Sequence, residues 1–175
     1  NENLLGFLAF ITLTSCMSFS DRSLRPIRDA ITAQLPEIHL EKEFAISIGS
    51  GVFNFLDIIT LNEADLSELD TVHVAIYEVS STGRGFDFSK LDLEQTLLAK
   101  DPNLHWDTVV RVRKPVERVW VLAGIDLDRN SLAAIAVVVL NASELVLIHV
   151  DGDLSELLEY AMAPARGHTG VLKSG

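Results

Sequence analysis

Between Thr108 and Asp151 four runs rich in β-branched residues follow one another, and they constrain the fold more than any other part of the chain. They are Thr108 to Arg113, Arg118 to Ile125, Leu132 to Leu140 and Glu144 to Asp151. The joints hold Lys114-Pro115, Asp126 to Ser131, and Asn141-Ala142-Ser143. Joints of roughly three to six residues connect neighbouring antiparallel strands, so the pattern predicts a four-strand antiparallel meander. Leu132 to Leu140 (LAAIAVVVL) shows no polar–apolar alternation, which predicts a central strand with both faces buried. Thr108 to Arg113 does alternate. Val110 and Val112 are expected to face the core, with Arg111, Arg113 and Val109 on the other side of a strand near an edge or with one face in water.

Upstream, strands and helices interleave. Leu24, Ile27, Ile31 and Leu35 recur at helical spacing, with Pro26 in the first turn and Pro36 at the end, so a helix is expected over Leu24 to Leu35. Arg22, Arg25 and Arg28 fall three apart on it, as a solvated helix edge or as a contact for lipid head groups. Phe44 to Ile48 and Val72 to Val79 read as strands. Helices are expected over Val52 to Ile59, Leu91 to Ala99, and Leu154 to Ala161 behind an Asp153 cap. Asn62 to Asp70 reads as a polar helix end or loop, Ser80 to Phe86 as a loop, and Pro164 to Gly175 as a disordered tail. The expectation is an α+β domain in two layers, with a mixed sheet, the C-terminal four-strand meander, and helices packed mainly on one face. The chain divides as 1–15, a signal; 16–43, an anchor joint and amphipathic helix; 44–163, a single domain; and 164–175, the tail.

Leu4 to Leu13 (LLGFLAFITL) is an uncharged apolar run followed by Thr14-Ser15-Cys16. It is shorter than the roughly 20 residues of a spanning helix, and its apolar residues leave no polar helix face. This pattern matches a lipoprotein signal peptide, with Cys16 as the lipid-attachment residue, although Asn1-Glu2-Asn3 lacks the basic charge that opens such signals. The expected location is the periplasmic face of the cell envelope. Met17 in place of an aspartate favours the outer membrane. A cleaved signal without lipid, or an ordinary structural segment, are the competing readings.

The 175 residues carry a formal net charge of −11 and one cysteine. Such an acidic balance disfavours nucleic acid as a partner, because phosphate binding needs clustered Lys and Arg. A single cysteine allows neither an internal disulfide nor a thiolate-rich zinc site. Asp126-Leu127-Asp128-Arg129-Asn130 imitates the start of a calcium loop, but Ser131 and Val137 stand where glycine and glutamate are needed, so a hairpin turn is expected. His149, Asp151 and Asp153 alternate, yet Gly152 interrupts the strand and Asp153 serves the helix, so no metal site is assigned. Gly49-Ser50-Gly51 lies between a strand and a helix, as phosphate-cradling turns do, but Asn54 replaces the third glycine of the dinucleotide fingerprint and no Walker lysine follows. Ser50 lacks the setting of a hydrolase nucleophile, and His39, His73, His105, His149 and His168 form no pair at ligand spacing.

A different constellation remains. His73, Tyr77, Arg111, Arg113, Arg118 and Trp120 are expected on one side of adjacent strands, a mixture enriched at protein interfaces. Either that side faces solvent and binds a partner, or helices cover it and the arginines lie at its rim.

The strand Val109 to Arg113 (VVRVR), Glu117-Arg118-Val119-Trp120-Val121, the apolar Leu132 to Leu140 strand, Glu144 to Asp151, Gly152 and the closing Leu154 to Tyr160 helix resemble the bacterial family called domain of unknown function 4252. The resemblance spans about Phe44 to Ala161. It implies a small exported protein, often a lipoprotein, and brings no catalytic residues. The functional expectation is a non-enzymatic envelope lipoprotein that binds a protein or peptide and takes no cofactor. A small-ligand or anion binder using Gly49, Ser50 and Gly51 is the alternative, with a hydrolase or metal enzyme ranked last.

Overall fold

A computed structural model describes residues 17–50, 69–82 and 87–155. The expected signal with Cys16, the helix expected over 52–59, Gly51, the glycines at 83 and 85, most of the helix expected over 154–161 and the expected tail lie outside them. The elements are β1 (Met17–Ser18), α1 (Arg25–Gln34), β2 (Ile38–Gly49), β3 (Leu69–Ser81), a 3-10 turn (Phe88–Lys90), α2 (Leu93–Lys100), β4 (His105–Arg113), β5 (Glu117–Asp126), β6 (Ser131–Asn141) and β7 (Glu144–Gly152).

The strands form one seven-stranded sheet in the order β1-β2-β3-β7-β6-β5-β4. Every pairing among the described strands is antiparallel, where a mixed sheet was expected. The domain is α+β with the sheet dominant. The meander β4–β7 stands as expected, because the joints are too short for a crossover. Two of them are built by side chains. Asp126 Oδ1 accepts the backbone N–H groups of Asp128 and Arg129 at 2.9 and 3.1 Å, and Asn130 takes φ 52°, a conformation asparagine tolerates. Asn141 Oδ1 likewise accepts from the N–H groups of Ser143 and Glu144, both at 2.8 Å. The Asp126 carboxylate therefore closes a hairpin, as the failed calcium pattern suggested.

Opposed residues in an antiparallel sheet share a face, so the register assigns sides. One face carries Ala75, Tyr77 and Val79, then Leu145 and Leu147, then Ala136, Val138 and Leu140, then Trp120 and Leu122. These residues form a single buried cluster with Leu24, Ile27, Ile31 and Leu35 along α1 and Leu93 and Leu97 of α2. Pro26 sits in the first turn of α1, as expected. The boundary drawn between 43 and 44 falls inside β2, and the helix before it is part of this same core. Arg25 and Arg28 both pair with the buried carboxylate of Asp21, at 3.1 and 3.2 Å, while the Arg25 side chain stays half exposed.

Two face assignments differ from expectation. In β6, Ala134, Ala136, Val138 and Leu140 are buried, whereas Ile135, Val137 and Val139 are only half-buried, so both sides of this apolar strand are not equally enclosed. In β4 a bulge places Val109 between Thr108, opposite Leu122, and Val110, opposite Val121. The extra residue flips the pattern beyond it. Val110 and Val112 are 44% and 38% exposed rather than in the core, while Arg111 and Arg113 stand opposite Trp120 and Arg118.

Candidate functional site

The bulge at Val109 builds the site. By turning Arg111 and Arg113 to the side of Arg118 and Trp120, it gathers three guanidinium groups at the end of the β4–β5 hairpin. Residues 87–91, ahead of α2, lie against this end, with Asp87 Oδ1 accepting the N–H of Ser89 at 2.9 Å to start the 3-10 turn. Phe88, Leu91, Trp120 and the three arginines line a cleft of about 470 Å3, with Asp87, Ser89 and Pro115 at its margin. A shallower depression of about 320 Å3 shares Ser89, Leu91 and Arg111 with it and runs on past Asp92 and Glu94. Together they make a groove beside β4.

The arginines are not equivalent. Arg118 is fixed: its guanidinium donates to the carbonyls of Lys114 and Glu117 and lies 4.7 Å over the Phe88 ring, a cation–π contact. Arg111 and Arg113 are exposed and have no hydrogen bond or ion pair to any described residue. In a chain with 25 acidic and 14 basic residues, two neighbouring arginines with no carboxylate at ion-pair distance among the described residues are available to an anionic group. A guanidinium fork suits a carboxylate or phosphate in bidentate fashion.

The six residues expected on one face do share it, but that face is not open. Tyr77 and Trp120 are 0% and 5% exposed. Two strands, β7 and β6, separate β3 from β5, so His73 and Tyr77 lie about 14 Å or more from Trp120 by strand spacing. Tyr77 has a structural role: its hydroxyl donates to Asp21 Oδ2 at 3.2 Å. Burial, reinforced by the Asp21 charge, pushes its ionisation far above the ordinary tyrosine range.

His73 belongs to a second polar cluster. It stands opposite His149 across β3 and β7. Ser47 Oγ lies 3.3 Å from the Ser20 carbonyl and 2.7 Å from His73 Nδ1, within hydrogen-bond distance of both. His149 is completely buried; its Nδ1–H donates to Asp151 Oδ2 at 3.0 Å and its Nε2 faces the Lys100 ammonium at 3.3 Å. Asp151 also accepts from Thr71 at 2.9 Å. Burial works to raise the Asp151 carboxyl, but the His149 hydrogen bond and the charges of His149 and Lys100 outweigh it and hold it below the usual range. His73 is shifted down, by burial first, with His149 and Lys100 adding and Asp151 opposing.

Asp101, His149 and Asp151 each bring a ligand-type atom within 4.8 Å of the others. The Lys100 ammonium lies among them, 3.1 Å from Asp101, and supplies the positive charge that a metal ion would otherwise bring. Asp153 takes no part. Its carboxylate accepts the N–H of Ser155 at 3.2 Å; the helix it was expected to cap lies, from residue 156 on, outside the described residues.

Gly49 is the last residue of β2, opposite Thr71, and Ser50 is exposed beside it. The remaining glycine of that triplet lies outside the described residues. Sequence reasoning found the arginines and Trp120 but missed Phe88, Leu91 and the pairing of Lys100 with His149. Lys100 and His149 are 49 residues apart, and no local pattern links them.

Comparisons of the chain with protein-family models, with curated proteins and with solved structures give no match.

Proposed function

We propose that this chain is an exported envelope lipoprotein whose domain is a non-enzymatic protein- or peptide-binding module, with the arginine groove beside β4 as its contact site. The observation that carries the binding role is the pair Arg111 and Arg113, exposed on one side of one strand without any acidic partner among the described residues of a chain with net charge −11. Phe88 and Trp120 give the groove an aromatic floor, a composition favoured where proteins meet. Export and lipid attachment at Cys16, with the outer membrane favoured, rest on the apolar run that precedes that cysteine and on the resemblance to domain of unknown function 4252. We also read the domain as two layers. The buried residues of α1 and α2 cluster with the single sheet face that holds Tyr77 and Trp120, which supports helices packed mainly on that face.

Pull-down from envelope extracts tests the binding site. A protein captured by the wild type and lost with Arg111→Glu/Arg113→Glu is the expected result. Equal capture by both would refute the groove. Labelled-fatty-acid incorporation in cells tests the anchor: label present on the wild type and absent from Cys16→Ala is expected, and label on neither overturns it.

A further inference from the structure

The groove follows a sheet edge. β4 pairs with β5 on one side, and no described strand pairs with it on the other. An edge strand leaves a row of backbone N–H and C=O groups unpaired, ready to accept another strand. Part of this edge is occupied. Glu94 of α2 accepts both the N–H and the hydroxyl of Thr108, at 3.2 and 2.5 Å, so the first half of β4 is blocked. Beyond the Val109 bulge no described residue bonds the outer edge of the strand, so among the described residues Val110 to Arg113 are open.

The open half carries its own pattern. Arg111 and Arg113 share the groove side, about 6.7 Å apart along the strand. Val110 and Val112 share the other side and are 44% and 38% exposed. A strand laid against β4 repeats with the same period of two, so its residues meet these side chains in alternation. Acidic residues at alternate positions would face the two arginines, and the residues between them would extend the apolar side. The same charges work against self-association. Pairing of β4 with β4 of a second copy would set arginine against arginine, and like charges directly opposite are unfavourable.

Resting on the groove reading above, we propose that the edge of β4 from Val110 to Arg113 accepts an extended segment of a partner protein as an added strand. That segment alternates acidic residues, on Arg111 and Arg113, with apolar residues, on Val110 and Val112. Backbone pairing holds the segment to the sheet, and the side-chain alternation selects it.

The probe is a fluorescein-labelled peptide of eight residues in which Glu and Val alternate, followed by fluorescence anisotropy on the full chain. Three comparisons accompany it: an isomer with four Glu followed by four Val, and two versions N-methylated at the odd or at the even positions. The alternating peptide is expected to bind, the block isomer about tenfold more weakly, and one of the two methylated versions not at all, because only one set of N–H groups faces β4. Arg111→Glu/Arg113→Glu abolishes binding while circular dichroism stays unchanged, since both side chains are exposed. If the alternating peptide does not bind, or if it, the block isomer and both methylated versions bind equally, strand addition is overturned. In the second case a loss with Arg111→Glu/Arg113→Glu leaves the groove reading standing. If that double substitution has no effect on a peptide that binds, both readings fall.

Discussion

Replacing Asp21 by alanine should unfold the domain more readily than any single change at the groove. Asp21 precedes α1 and is 2% exposed, yet its carboxylate serves four groups. It accepts from Arg25 at 3.1 Å, from Arg28 at 3.2 Å and from the Tyr77 hydroxyl at 3.2 Å, with Lys42 at 4.0 Å. The substitution leaves the Tyr77 hydroxyl buried without an acceptor, which costs about 1–3 kcal/mol. Arg28, a quarter exposed, loses a charge-assisted bond of about 1.5–3 kcal/mol before solvent screening. Arg25 and Lys42, with side chains 51% and 42% exposed, add at most about 0.5 kcal/mol each. The sum is about 2.5–7 kcal/mol before screening, a fall in melting temperature of roughly 5–28 °C for a domain of this size. Urea unfolding followed by tryptophan fluorescence reads it directly, because Trp106 and Trp120 are both buried and the midpoint shifts while the slope is kept. Asp21→Asn retains one acceptor oxygen and should lose less. Burial works to raise the Asp21 carboxyl, but the hydrogen bonds from Arg25 and Tyr77 and the charges of Arg25 and Lys42 outweigh it and hold it low. Its stabilisation is therefore complete above the unfolded value, near pH 4 (~3.9), and drains away as pH falls through the lower folded value. Asp21→Ala should flatten that acid limb. A loss below about 1 kcal/mol would refute Asp21 as the hub that ties α1 to the sheet.

Other outcomes follow from single contacts. A methyl group on Gly124 would stand 2.9 Å from Trp106 Cη2, 3.0 Å from its Cζ2 and 3.1 Å from Ala134 Cβ, so Gly124→Ala should cost about 1–3 kcal/mol by overpacking; adding Trp106→Phe, which removes those ring atoms, should restore part of it in urea unfolding. His73 is shifted down, so the unfolded chain binds the extra proton and stability should rise with pH from the folded value up to about 6.5; His73→Gln should remove that slope in melts taken across the range. Lys100→Ala takes the ammonium out from among Asp101, His149 and Asp151. Zinc should then raise the melting temperature of the variant and leave the wild type unchanged.

The meander was legible because its signals are local. β-branched runs fix the strands, Asp126 and Asn141 close two hairpins with their own side chains, and Leu24, Ile27, Ile31 and Leu35 mark the buried side of α1. β2 extends from Ile38, six residues ahead of the strand read at Phe44, because His39, Glu41, Lys42 and Glu43 dilute the apolar alternation. Sheet pairing with β3 overrides that weak local preference. Of the candidate site, the arginines and Trp120 were legible as one side of β4 and β5. Their separation from His73 and Tyr77 was not, because β7 and β6 come later in sequence yet lie between β3 and β5.

By itself the sequence determined the helix α1, the antiparallel meander, the acidic balance and the apolar run that ends at Cys16. These depend on the period of side chains along one segment and on residues a few positions apart. The tertiary structure alone decided which side of β4 faces the groove. An unbulged strand would have turned Val110 and Val112 inward, and one extra residue at Val109 reversed every side chain after it. It also decided that Tyr77 meets Asp21 across 56 residues and that His149 meets Lys100, because such encounters are set by strand register and packing and leave no periodic trace along the chain.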